Sequence, residues 1–190
     1  MISESLVFLR NQLNQYLGIG RDPNELQEDL VVFLDTENHD TINFKKEAIS
    51  LVLINIEEET TFRSANQYVR TTANGIQQNI QPDIKLNLYI LFVPLFTDYQ
   101  TSLKYLSKII RYFQKFRLID HQNSPLLHED IQKLIIELVT LNFAEQNEIW
   151  NALRTPYLPS VLYKVKMVVF EDDESTEAAA IQEMSLRQSK

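Results

Sequence analysis

Residues 86–96, Leu-Asn-Leu-Tyr-Ile-Leu-Phe-Val-Pro-Leu-Phe, constrain this chain more than any other stretch. In an extended strand Leu86, Leu88, Ile90 and Phe92 fall on one face, and Tyr89, Leu91 and Val93 on the other. A strand wetted on one side alternates apolar with polar residues, whereas one covered on both sides is apolar throughout. The run is therefore expected to be a central strand of a covered sheet. Pro94 cannot donate a ladder hydrogen bond, so regular pairing is expected to end near it, or it sits at an edge or bulge. A helix from about Tyr99 to Arg117 follows at once, with Tyr99, Leu103, Leu106, Ile109 (beside Ile110), Phe113 and Phe116 in one stripe at helical spacing. Strand and helix together form the expected seed of the core.

Other elements fall into place around that seed. Residues 2–17 carry Ile2, Leu6, Leu9, Leu13 and Tyr16 (with Leu17) at three- and four-residue steps, an amphipathic helix that Ser3-Glu4 suits at its start. Gly18-Ile19-Gly20 follows that helix and precedes a proline turn. A phosphate-cradling loop would instead follow a strand and open a helix, so the glycines are read as a helix C-cap. Leu30 to Leu34 is a short edge or second strand. Asp35 to Asp40 is a solvated turn whose carboxylates lack regular ligand spacing. Ala48 to Glu58 is a second central strand, with Ile49, Leu51 and Leu53 on one face and Val52, Ile54 and Ile56 on the other. Lys133 to Leu141 is a third strand, placing Leu134, Ile136 and Leu138 in the core and Lys133 and Glu137 on a partly exposed side. A short helix spans about Ala144 to Leu153, with Ile149, Trp150 and Leu153 turned inward. The connector Thr155-Pro156-Tyr157-Leu158-Pro159-Ser160 delivers a last strand, Val161 to Phe170, in which Val161, Tyr163, Val165, Met167 and Val169 alternate with Lys164 and Lys166. The element order implies an α+β fold, a single domain with a mixed, mostly antiparallel sheet covered by helices. The expected boundaries are 1–170 for the domain and 171–190 for an acidic, disordered tail.

Composition limits the chemistry. A chain of 190 residues with 44% hydrophobic and 23% charged residues is that of an ordinary globular domain, able to bury roughly 70% of its unfolded surface. The formal charge of −8 argues against nucleic acid as the main partner, because phosphate neutralisation needs a basic face. The chain has no cysteine, which removes disulfides, thiol nucleophiles and zinc–thiolate sites. No apolar run approaches the length of a membrane span. His121 and His128, with flanking carboxylates, are the best candidates for metal or acid–base chemistry, yet a proline turn separates them and fixes no mutual geometry. There is no Gly-x-Ser-x-Gly elbow and no glycine-rich phosphate loop. The expectation is a non-enzymatic protein with no cofactor and no metal.

Three stretches suggest contacts with other molecules. Residues 59–83 are rich in Thr, Asn and Gln, and a structureless connection of this length is functional or disordered. It is either an arm reaching a neighbour through Arg63, Tyr68 and Arg70, or a mobile loop with no partner. Lys104, Lys108, Arg111 and Lys115 line one face of the 99–117 helix at steps of four, three and four. Such a stripe is either a solvated face or a contact for an acidic protein partner. The last twenty residues hold six acidic and two basic side chains, opening with Glu171-Asp172-Asp173-Glu174. The segment is too short and polar to be a stable helix alone and is read as a disordered interaction tail.

In this order the N-terminal helix, the 86–96 strand, the Tyr99-Gln100 helix and the Leu134-Ile135-Ile136-Glu137-Leu138 strand resemble the cap (tail-terminator) proteins of extracellular contractile injection systems, the phage-tail-like particles of antifeeding-prophage type. The most specific part is Trp150-x-x-Leu153 followed by Pro159-Ser160-x-x-Tyr163, which is similar to a pattern of that family. The resemblance covers nearly all of residues 2–170 and implies a tail-terminator-like fold. It further implies a structural protein that forms a hexameric ring on the last layers of bacterial sheath and inner tube and stops their polymerisation. The implied partners are other copies of the chain and the sheath and tube proteins, with no membrane insertion. Assembly would take place in the bacterial cytoplasm, in a particle then released or anchored. Some relatives continue into a further C-terminal domain, whereas this chain has only its tail after Phe170. The alternative is a protein–protein adaptor unrelated to tube or sheath.

Overall fold

A computed structural model describes residues 1–19, 29–34, 42–59, 69–71, 77–79, 85–169 and 176–177. The chain order is α1 (Ile2–Gly18), β1 (Val31–Phe33), β2 (Ala48–Glu58), β3 (Val69–Thr71), β4 (Gln77–Asn79), β5 (Lys85–Leu95), α2 (Tyr99–Lys115), β6 (Leu118–Asp120), β7 (Ile131–Val139), α3 (Phe143–Ala152), β8 (Val161–Val169) and β9 (Thr176–Glu177). Six strands form one mixed sheet in the order β1-β2-β5-β8-β7-β6, in which only β1 runs parallel to its neighbour. A second small sheet joins β3, β4 and β9. The α+β fold with a mostly antiparallel sheet is as the sequence implies.

β5 lies inside the sheet, and its two apolar faces go to two different cores. Leu88, Ile90 and Phe92 belong to a large core with α1 and α2, whereas Leu91 and Val93 join Val52, Leu162 and Trp150 on the opposite side. Pro94 stays within the strand because of its register. The amide of its partner Ile49 donates to the Leu30 carbonyl at 2.7 Å, towards β1, so Ile49 and Pro94 are not a hydrogen-bonded pair. The donor that proline lacks would point to the β8 side, where pairing stops at Phe92–Val161. Pro94 thus sits where no ladder bond is needed.

Both long helices are secured to the sheet by polar groups as well as apolar area. Asn14 of α1 bonds both backbone groups of Val31, donating to its carbonyl at 3.0 Å and accepting from its amide at 2.7 Å. This holds the edge strand β1 under α1. Ser102 of α2 is buried and accepts from the Phe96 amide at 3.0 Å. Asp98 caps α2 by accepting from the amides of Gln100 and Thr101 and from the Thr101 hydroxyl. Thr101 first, then these amides, hold its carboxyl below the usual aspartate range. Asn142 and Glu145 form a reciprocal capping box at the start of α3.

Several expectations are corrected. Gly18 is the last residue of α1, and the C-cap is Ile19 in an extended conformation; space is open around a Cβ at Gly18, so nothing there requires glycine. Ile56 does not share a face with Val52 and Ile54. A bulge between Leu53 and Asn55 inserts one residue, so Ile56 pairs with Leu88 on the α-covered side and is 46% exposed beyond the core. On α2 the buried face is Ser102, Ile109, Tyr112 and Phe113, while Tyr99, Leu103 and Phe116 are exposed. Leu138 lies in register with core residues Leu134 and Ile136 but is 52% exposed; β6 pairs with β7 only at Lys133–Ile135, so at Leu138 the strand is an open edge. The 59–83 connection is not wholly structureless, since it contains the hairpin β3–β4. The tail likewise contributes β9, paired with β4. The Asp35–Asp40 turn and the remainder of the tail lie outside the described residues.

Candidate functional site: the exposed faces of α2 and the sheet

The basic stripe expected from spacing alone is present. Lys104, Arg111 and Lys115 are exposed and Lys108 is half-buried on the side of α2 away from the sheet. At 100° per residue the four positions fall within a wedge of about 60°. Among the described residues no carboxylate pairs with any of them. Two are held instead by rings of their own helix turn: Lys108 lies over Tyr105 at 5.2 Å from its centroid, and Lys115 over Phe116 at 5.0 Å. Tyr105 is itself stacked on Phe96 at 4.7 Å, so that lysine rests on a fixed aromatic base. Lys115 also stands in the last turn, where the helix dipole favours a cation.

The uncovered half of the opposite sheet face is also charged, but it is internally matched. Lys166 pairs with Glu137 at 2.8 Å across β8 and β7. The Tyr89 hydroxyl donates to Glu57 at 2.8 Å, and the Lys164 ammonium lies over the Tyr89 ring at 5.8 Å. Asn87 donates to Glu59 at 3.2 Å. Burial, followed by the Glu57 hydrogen bond, pushes the Tyr89 phenol up to about 12, so it remains a neutral donor. The sequence alternation at Lys164 and Lys166 anticipates this wet face; the partners could not be read without the register.

At the other flank of α2, Leu106 and Ile110 meet Leu138 of β7 and Ile149 and Trp150 of α3 around an open cleft of about 260 Å³. Leu103 (39%) and Phe143 (91%) are exposed apolar residues on the same two helices. Sequence reasoning assigned Leu103 and Leu138 to the core. Leu103 lies about 120° around α2 from the centre of its buried face, and Leu138 lies where β7 has no outer neighbour, because β6 pairs only with Lys133–Ile135.

The histidines do not converge. His121 Nε2 lies 2.8 Å from the Ile131 carbonyl, and His128 contacts Asp130 in its own turn at 3.4 Å. Among the described residues there is no group of three or more His, Cys, Asp or Glu side chains able to hold a metal ion. No helix of the described residues is long and apolar enough to cross a membrane. Of the pattern residues, Trp150 and Tyr163 are buried and Leu153, Pro159 and Ser160 half-buried. Trp150 is buried between Phe44 and Tyr157, at ring distances of 5.9 and 5.7 Å, with Leu153 packed beside it. Tyr163 is buried on the α-covered side against Phe113 at 4.7 Å and Phe92 at 6.1 Å. Pro159 and Ser160 are half-buried where the chain enters β8, and Ser160 lines the cleft. Arg63 and Tyr68 lie outside the described residues, and for Arg70 only its backbone place in β3 is described.

The fold and its surfaces define a class: a single α+β domain, whose developed external features are a basic helix, a polar sheet face and an apolar cleft. A family model, the Pvc16 N-terminal domain, matches residues 7–183. The chain belongs to that family. It is similar in fold to the sheath/tube terminator of PVC, an extracellular contractile injection system, seen by cryo-EM in the extended state, with 14% identity and a TM-score of 0.52 over 100% of this chain and 64% of that one. It is also similar to the tube-terminating cap of the anti-feeding prophage, with 15% identity and a TM-score of 0.54 over 94% of this chain and 60% of that one. The chain therefore spans less than two thirds of the length of either. No curated protein matches.

Proposed function

We propose that this chain is the terminator of a contractile injection system, closing the tube and sheath as a homo-hexameric ring and stopping their polymerisation. The observation that carries the reading is the Pvc16 N-terminal domain match over residues 7–183; the terminator and cap folds of the similar structures support it. In this reading residues 1–170 form the ring body and 171–190 an interaction tail. The partners are neighbouring copies and the sheath and tube proteins, met in the bacterial cytoplasm before the particle is released or anchored. Lys104, Lys108, Arg111 and Lys115, with the 59–83 arm carrying Arg63, Tyr68 and Arg70, are the proposed contacts. The role needs surfaces and no reaction centre, and it assigns no catalytic duty to His121 or His128. The test is electron microscopy of particles from a strain lacking the gene. Missing particles, or tubes and sheaths of uncontrolled length, are expected; particles of normal number, length and contraction would overturn the proposal.

A further inference from the structure

The two charged surfaces differ in one respect: on the sheet face Lys166 has the Glu137 carboxylate as counter-charge, whereas among the described residues no carboxylate pairs with the α2 stripe. Four cations within one narrow wedge repel each other, and the pairs 104/108 and 111/115 stand at the i, i+4 spacing where like charges are unfavourable. A chain with a formal charge of −8 has many carboxylates to offer, yet among the described residues none reaches this stripe. Glu57 and Glu59, from the acidic run at the end of β2, already bond Tyr89 and Asn87. The one run of four consecutive acids in the sequence is Glu171-Asp172-Asp173-Glu174.

Lengths match as well as charges. From Lys104 to Lys115 the stripe extends about 16 Å along the helix axis, and four extended residues span about 13 Å. A closed ring is built from heterologous contacts, in which one surface of each copy meets a different surface of the next; a run and a stripe of opposite charge and similar length make such a pair.

We propose that the acidic run 171–174 of one copy docks on the Lys104/Lys108/Arg111/Lys115 stripe of the next, an electrostatic clasp between neighbouring protomers. The proposal rests on the ring reading above and names the contact that links its subunits. The rings under Lys108 and Lys115 limit the freedom of those two ammonium groups before the partner arrives.

The absence of cysteine allows a clean test. Lys108→Cys and Asp172→Cys chains, carrying different tags, are co-expressed with the other particle proteins, and disulfide formation is followed in assembled particles. A 1:1 cross-link between the two tagged chains is expected. Its yield should fall at least tenfold when Lys104, Arg111 and Lys115 are all changed to Glu. It should recover when Glu171, Asp173 and Glu174 are changed to Lys in the partner. No cross-link in assembled particles would overturn the clasp, as would a link that survives the charge reversal. A doubly substituted chain that closes only within itself would show the tail on its own helix and overturn it equally. Gene deletion tests the terminator reading separately: disturbed sheath ends without the cross-link would leave the terminator standing and the clasp refuted. A thermal melt of each variant excludes misfolding as the cause of a lost link.

Discussion

The two faces of the main sheet are made from the same strands but differ in how they are closed. Among the described residues, the face under α1 and α2 buries twenty-five apolar side chains in one cluster, from Leu6 to Val169, whereas the opposite face buries five, centred on Trp150. The first has two seventeen-residue helices laid along it. The second has one ten-residue helix over one end, and charged side chains occupy the rest. Burial of about 25 cal/mol per Å² favours the first face throughout, so that face defines the fold and the second is free to be a surface. One sheet can therefore supply both a rigid body and an exposed platform.

This contrast can be broken most severely from the large face. Phe92 is fully buried against Phe113 and Tyr163, and Phe92→Ala should lower unfolding stability by about 4 kcal/mol, read by urea denaturation. Far-UV circular dichroism and Trp150 fluorescence should lose signal at the same midpoint, because both faces hang on the same strands. Separate midpoints would show the faces to be independent. On the second face, Trp150→Ala removes the ring between Phe44 and Tyr157 at a cost of about 3 kcal/mol. Amide exchange should then rise first in α3 and leave α1 and α2 protected; uniform loss would refute the distinction between the faces.

Smaller changes sharpen the boundary between them. Asn14→Ala leaves the backbone of Val31 without both of its bonds to α1, and about 2 kcal/mol is expected, with faster exchange of the Val31 amide. Unaltered exchange there would mean that β1 is held by β2 alone. The smallest effect is a pH dependence at Asp98. Its folded pKa is lowered by the Thr101 hydroxyl and the cap amides, so its contribution is present above the ordinary aspartate value and lost as pH falls through the folded one. Asp98→Asn keeps the cap but not the titration, so the melting temperature should fall less steeply below pH 5 than in the parent chain. Equal slopes would place the acid sensitivity elsewhere, for example at Glu47, whose carboxylate accepts from the Thr97 hydroxyl and amide and is similarly lowered.

Most strands and helices were legible because periodicity is a local property. The double-sided apolar run at β5, the alternation at β8 and the stripe of α1 each name their own environment. The departures come from the tertiary surroundings of each residue. Ile56 was assigned to the wrong face because a single bulged residue reverses every later side chain, and bulges leave no reliable mark in composition. Leu103 and Leu138 follow an apolar period, but a sequence does not show which arc of a helix is covered or where a neighbouring strand stops. The basic stripe was visible from spacing, yet that no described carboxylate pairs with it was not, since that depends on which carboxylates the fold brings near.

The sequence by itself determined the α+β class, the central place of β5, the inward turn of Trp150 and Tyr163, and the family resemblance, because each follows from residue type at fixed local spacing. The tertiary structure decided the strand order β1-β2-β5-β8-β7-β6, the harmless position of Pro94, the cleft beside α3 and the contrast between a matched and an unmatched charged surface. Those depend on contacts between residues far apart in the chain, whose registers are set only when two faces of one sheet are packed at once.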